Sequence, residues 1–174
     1  MRHICIIGGT GMLAEVTKWY AENDCIVSVV ARNEEKLNRM KFSCSKPDNI
    51  KEILVDYCDS NTLQKLLKNN IHKYGRYTEL VIWLHEDGLA SLETIYRLLD
   101  DQSSIWHIIG SQRDAQQFRT QYQPSTKIGY HLIQLGFQRE NNRKRWLTNN
   151  EIANGVIQSI QSGRSYNLIG ELST

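Results

Sequence analysis

Only two prolines occur in the chain, at positions 47 and 124, and no apolar run approaches the roughly 20 residues that a membrane-spanning helix needs. That leaves no expectation of a membrane partner. The start is not a signal peptide either, because its short apolar stretch runs into glycines instead of a small-residue cleavage site, so a cytoplasmic location is expected. Charge of one sign is not in excess: 21 Lys and Arg face 19 Asp and Glu, so no global field points to nucleic acid or an anionic surface. The four cysteines, Cys5, Cys25, Cys44 and Cys58, form no Cys-x-x-Cys pair, and two fall inside apolar strand candidates. They read as small core hydrophobes, with no metal site expected. Repeats, low-complexity segments and linkers are also missing, and 174 residues suffice for one domain, 1–174, with a sizeable core.

What is present is alternation. Residues 2–7 are an apolar run ending at glycine, and residues 11–23 carry Leu13, Val16, Trp19 and Tyr20 at helical spacing. Strands at 25–31 and 50–55 alternate with helices at 33–40 and 60–72, for which Asn33 and Ser60 are the expected N-caps. A strand at 80–84, a helix at 88–99 and a strand at 105–109 follow. Beyond Gly110 the pattern loosens into a polar stretch, 111–127, then an alternating apolar run at 128–137 and a basic turn at 139–145. Thr148 opens a last helix as a capping box with Glu151, and 166–169 reads as a final strand. Such repeats predict a doubly wound Rossmann fold, a mainly parallel sheet of six or seven strands with helices on both faces. The expected order is 3-2-1-4-5-6 plus a possible seventh strand, with a ligand at the switch point on the carboxyl edge.

The turn between the first strand and helix reads Gly8-Gly9-Thr10-Gly11-Met12-Leu13-Ala14, a Gly-x-x-Gly-x-x-Ala spacing. Unpaired amides at a helix N-terminus attract a pyrophosphate, and glycines there remove the Cβ atoms that would hold it off. Ala14 lets helix and strand approach, and Thr10 adds a hydroxyl donor. The competing reading is a tight turn whose glycines serve only the backbone. Strand before, helix after and further strand-helix units favour a dinucleotide, with Gly8, Gly9, Thr10, Gly11, Met12 and Leu13 as its cradle.

At the end of the second strand, where an NAD site places an acid against the ribose, the chain reads Val30-Ala31-Arg32-Asn33. A guanidinium at Arg32 suits a 2′-phosphate or an adenine face, with Asn33 and Lys36 as lesser contributors. NADP(H) is therefore favoured, NAD(H) being the second choice. An exposed arginine at a strand-helix junction is the plain alternative.

These residues resemble the short-chain dehydrogenase/reductase superfamily, its extended and atypical branches above all, most strongly over residues 1–110. The resemblance implies an NADP(H)-binding oxidoreductase acting on a small molecule it does not identify. It maps adenine contacts onto Asp56 and Tyr57, whose other reading is loop polarity and helix capping. It maps the nicotinamide side onto Trp83, Leu84 and His85, and a carbonyl-polarising serine onto Ser111, although the family's Asn-Asn-Ala-Gly signature is missing. His85 and Ser111 are the catalytic candidates; an ordinary strand-end histidine and an ordinary loop serine are the alternatives.

The departure is the Tyr-x-x-x-Lys pair, in which lysine lowers the phenol pKa for proton transfer. No tyrosine here has a lysine four residues on: Tyr122 precedes Lys127 by five, across Pro124, and Tyr130 is followed by Gln134. The family's long catalytic helix and substrate-covering insert are expected to be reduced. A noncatalytic NADP(H)-binding sensor or scaffold is the alternative function. The basic turn, Arg139, Arg143, Lys144 and Arg145 with Trp146, is open between a solvated loop, a cover over the cofactor and a homodimer contact, and its short length argues against nucleic acid.

Overall fold

The computed structural model describes residues 1–173. Seven strands form one sheet: β1 (His3–Ile7), β2 (Ile26–Ala31), β3 (Ile50–Leu54), β4 (Glu79–Trp83), β5 (Ser104–Ile109), β6 (Gly129–Leu135) and β9 (Tyr166–Ile169). Their order is β3-β2-β1-β4-β5-β6-β9, every pairing is parallel, and the switch point lies between β1 and β4. Helices α1 (Ala14–Glu22), α2 (Glu34–Phe42), α3 (Ser60–Tyr74), α4 (Leu92–Tyr96), α5 (Ala115–Tyr122) and α6 (Asn149–Ser162) cover it.

Side chains alternate across each strand, so one strand feeds two cores. Ile4 and Ile6 of β1 join Val16 and Tyr20 of α1, Leu37 of α2 and Val156 of α6 on one face. Cys5 and Ile7 join Leu63 and Leu67 of α3, Ile95 of α4 and Phe118 of α5 on the other. Burial on both faces explains why the strands read as apolar runs without alternation.

Local chemistry departs from expectation in four places. Helix α1 starts at Ala14, not 11, so the glycine segment is a turn lying before the helix. Asp59, not Ser60, caps α3, accepting from the Thr62 amide at 3.2 Å, while the Ser60 hydroxyl pairs with Ser91 at 2.9 Å. A carboxylate one residue earlier in the chain takes the cap because it reaches the orphan amide and suits the helix dipole. The helix expected at 88–99 divides into a 3-10 segment, Glu86–Ser91, and the short α4. The polar stretch after β5 contains α5, capped by Asp114, which accepts from the Gln117 amide at 2.8 Å.

Asn33 caps α2 and Thr148 with Glu151 forms the expected capping box. The basic turn is a hairpin of β7 (Phe137–Glu140) and β8 (Arg143–Trp146), an antiparallel pair outside the main sheet. Asn141 and Asn142 turn it with φ of 50° and 60°, the left-handed values that a two-residue hairpin loop demands. Arg145 fixes it to α6, reaching Glu140 at 2.6 Å and both Glu151 oxygens at 2.9 Å. Those bonds and the Thr148 amide hold the Glu151 carboxyl down at about 2.

Cys5, Cys25 and Cys44 are buried and Cys58 is exposed, all free thiols. Among the described residues no helix is long and apolar enough to cross a membrane, and no cluster of His, Cys, Asp or Glu is arranged to hold a metal ion.

Candidate cofactor-binding site

The carboxyl ends of β1, β2 and β4 open on a cleft of about 320 Å³. Each glycine of the turn has a different reason to be there. Gly8 has φ of +85°, and a Cβ on it would stand 2.8 Å from the Trp83 carbonyl. Gly9 is buried: a Cβ would meet Thr17 Oγ1 at 2.9 Å and Ile6 and Val29 methyls at 3.0 Å. Gly11 has an ordinary φ and a Cβ would meet nothing within 4 Å. The protein's own packing therefore explains Gly8 and Gly9 but not Gly11, whose missing side chain leaves the mouth of the cleft clear.

Thr17, which sequence reasoning missed, locks this turn. Its hydroxyl reaches the carbonyls of Gly9 and Leu13, both at 3.1 Å, tying the loop to the first turn of α1. Among the described residues the amides of Thr10, Gly11, Met12 and Leu13 find no hydrogen-bond acceptor. Four free donors beside an uncapped helix start are the chemistry that holds a pyrophosphate. Leu13 offers only this amide, because its side chain is fully buried in the core.

Across the cleft lie Arg32, Asn33, Lys36 and Tyr57. The Arg32 guanidinium sits 5.6 Å from the centre of the Tyr57 ring, and its Nη1 is 3.7 Å from Asp56 Oδ2, a loose and half-exposed pair. Asp56 does not line the cleft; its other oxygen accepts from the Cys58 amide at 2.9 Å, and that bond, with Arg32 adding to it, keeps the carboxyl below the usual range. The Asn33 oxygen is committed to the Lys36 amide at 2.9 Å as the cap of α2. Burial pushes the Tyr57 phenol up, so it stays neutral.

Trp83 and His85 form the divide between this cleft and a second chamber of about 440 Å³. The second chamber gathers Leu84, Ser111, His107, Arg113, Phe118 and Trp146. Both catalytic candidates from the sequence thus line it, His85 at the divide and Ser111 within. Among the described residues the Ser111 hydroxyl is buried without a hydrogen-bond partner. His107 was missed because it stands in the middle of an apolar strand; its Nδ1 is 3.0 Å from the Tyr130 hydroxyl and burial lowers its pKa to about 3. The imidazole is neutral at any physiological pH. Trp146 brings the hairpin to the chamber, which is 70% exposed at that residue.

No family model and no curated protein sequence matches the chain. Solved structures do. A short-chain dehydrogenase/reductase from Serratia marcescens superposes with a TM-score of 0.70 at 16% identity, over 97% of this chain and 96% of that one. The citronellol catabolism dehydrogenase of Pseudomonas aeruginosa gives 0.71 at 15%, covering 97% and 93%. A short-chain dehydrogenase/reductase from Burkholderia phymatum, solved in complex with NAD, gives 0.72 at 12%, covering 97% and 88%. The chain has the Rossmann-type fold of the short-chain dehydrogenases/reductases.

Proposed function

We propose that the chain is an atypical member of the short-chain dehydrogenase/reductase superfamily and binds a nicotinamide dinucleotide, NADP(H) in preference to NAD(H), as an oxidoreductase on a small molecule. Residues 1–174 act as one cofactor domain of a cytoplasmic protein. The observation that carries this reading is Gly11: a glycine that no contact within the protein requires, at a turn with four free amides, facing a cleft with a cationic far wall.

The residues fit the cofactor. Amides 10–13 would hold the pyrophosphate, Arg32 and Lys36 the 2′-phosphate, and Tyr57 with Arg32 the adenine faces. Bound there, the cofactor supplies a hydride. The second chamber lies where a substrate would meet it, beyond Trp83. Titration of nucleotide-free protein with NADPH and NADH, followed by nicotinamide fluorescence, tests this. Arg32→Ala is expected to weaken NADPH by about tenfold, roughly 1.4 kcal/mol, and NADH far less. Equal weakening of both removes the case for phosphate reading, and binding of neither overturns the proposal.

A noncatalytic NADP(H) sensor is the second reading, favoured by the missing Tyr-x-x-x-Lys pair. The two separate on whether any acceptor is turned over.

A further inference from the structure

We infer that Thr17 is a positioning residue for the diphosphate of the cofactor: its buried hydroxyl keeps the Gly9–Thr10 peptide turned with the N–H toward the cleft and the C=O toward the interior. The inference rests on the dinucleotide reading above and adds what sets the polarity of the cradle.

Thr17 lies on the buried side of α1 with Val16, Tyr20 and Ala21, and none of its surface is exposed. Valine has the same shape, and a hydroxyl buried among apolar neighbours costs free energy unless it is hydrogen-bonded, so packing alone gives no reason for threonine here. The hydroxyl has one hydrogen and two oxygens in reach, those of Gly9 and Leu13, both at 3.1 Å. The Leu13 oxygen already accepts from the Thr17 amide at 2.9 Å, an ordinary helix bond. Among the described residues no other donor reaches the Gly9 carbonyl, which assigns the hydrogen to Gly9. A threonine bonding four residues back is common in helices; one reaching eight back, into the preceding turn, is not.

A trans peptide holds its C=O and N–H on opposite sides, and among the described residues no peptide bond is cis. Drawing the Gly9 oxygen toward Thr17 therefore sends the Thr10 N–H the other way. Around Gly9 lies the interior, where a Cβ would meet Thr17, Ile6 and Val29. On the other side lies the cleft, which Thr10 and Gly11 line and Gly9 and Thr17 do not. Thr17 thus acts on the ligand only through the peptide it holds.

The peptide needs such a hold because Gly8 and Gly9 precede it and Gly11 follows one residue later, leaving the chain around it freer to turn than any other sequence would. A half-turn of the peptide plane, through ψ of Gly9 and φ of Thr10, exchanges the N–H facing the cleft for a carbonyl oxygen. A diphosphate then meets partial negative charge where it requires a donor. With the hydroxyl in place the donor is aimed before the ligand arrives, and binding does not have to order it.

The test compares Thr17→Val, which keeps the shape and removes the hydroxyl, with Thr17→Ser, which keeps the hydroxyl. Affinities of the full chain are measured for NADPH and NADH by nicotinamide fluorescence, and for adenosine 2′-monophosphate, which lacks the diphosphate, by competition with NADPH. Thr17→Val is expected to weaken NADPH and NADH by the same factor, at least about tenfold, and to leave adenosine 2′-monophosphate within about twofold of wild type. Thr17→Ser is expected to bind both cofactors within about threefold of wild type. In the wild-type chain the Thr10 amide resonance should move on saturation with NADPH, a reading that stands even where Thr17→Val does not fold. Unchanged cofactor affinity in Thr17→Val, an equal loss for adenosine 2′-monophosphate, a Thr17→Ser protein as weak as Thr17→Val, or a Thr10 resonance that NADPH leaves in place overturns this inference and leaves the dinucleotide reading standing. A wild-type chain that binds neither NADPH nor NADH overturns the two together.

Discussion

The Tyr130 hydroxyl lies 3.0 Å from Nδ1 of His107, joining β6 to β5 through a bond buried inside the sheet's own layer of side chains. The pair sets a pH dependence. His107 is uncharged in the folded chain down to about pH 3, whereas in the unfolded chain it takes up a proton near 6.5. Between those values the unfolded state binds more protons, so stability rises with pH across this window and is lost as pH falls below 6.5. His3, also lowered chiefly by burial, adds to the loss in the same direction. Thermal unfolding of wild type and His107→Asn between pH 4 and 7 checks this. The wild-type slope should exceed the variant's by up to about 1.4 kcal/mol per pH unit. Parallel curves would mean that His107 titrates normally.

Gly9 and Gly11 separate packing from binding. Gly9→Ala places a Cβ 2.9–3.0 Å from three atoms of the interior, and is expected to destabilise by about 1–3 kcal/mol. Gly11→Ala enters open space at an ordinary φ and should leave stability within about 1 kcal/mol of wild type, while weakening NADPH at least about tenfold. Denaturant unfolding and cofactor titration on the two variants give the comparison. A Gly11→Ala protein with undiminished affinity would place the phosphates elsewhere.

Thr148 is the third test. Its hydroxyl accepts from the Glu151 amide at 3.2 Å and the Glu151 carboxylate returns a bond to the Thr148 amide at 2.8 Å. Thr148→Ala should cost about 1 kcal/mol in chemical denaturation. Since Arg145 also holds Glu151, the variant should in addition loosen the hairpin, read as faster amide exchange at β8.

The strands and their order were legible because a sheet buried on both faces writes unbroken apolar runs, as at Leu80, Val81 and Ile82. The glycine turn was legible from its place between strand and helix. Caps were read less well: Asp59 and Ser60 are both good capping residues, and only the three-dimensional path of the chain decides between them. Helix α5 was hidden because Phe118 is the one apolar residue of Ala115–Tyr122 that is fully enclosed, too few for a periodicity to register. Thr17 and His107 carry no local signal, since one speaks to carbonyls of a preceding turn and the other to a hydroxyl 23 residues on.

The strand order also dictates how the chain must assemble in time. With every pairing in the main sheet parallel, no two neighbours are joined by a tight turn, and the central contact of β1 with β4 brings Ile4 beside Glu79. Loop closure must precede any gain from that pairing, which places folding in the slower range set by non-local topology. The local antiparallel pair of β7 with β8 lies outside the sheet and does nothing to shorten the search. Until residues 79–83 dock, the apolar flank of β1 stays open, and that interval is when this chain is most exposed to self-association.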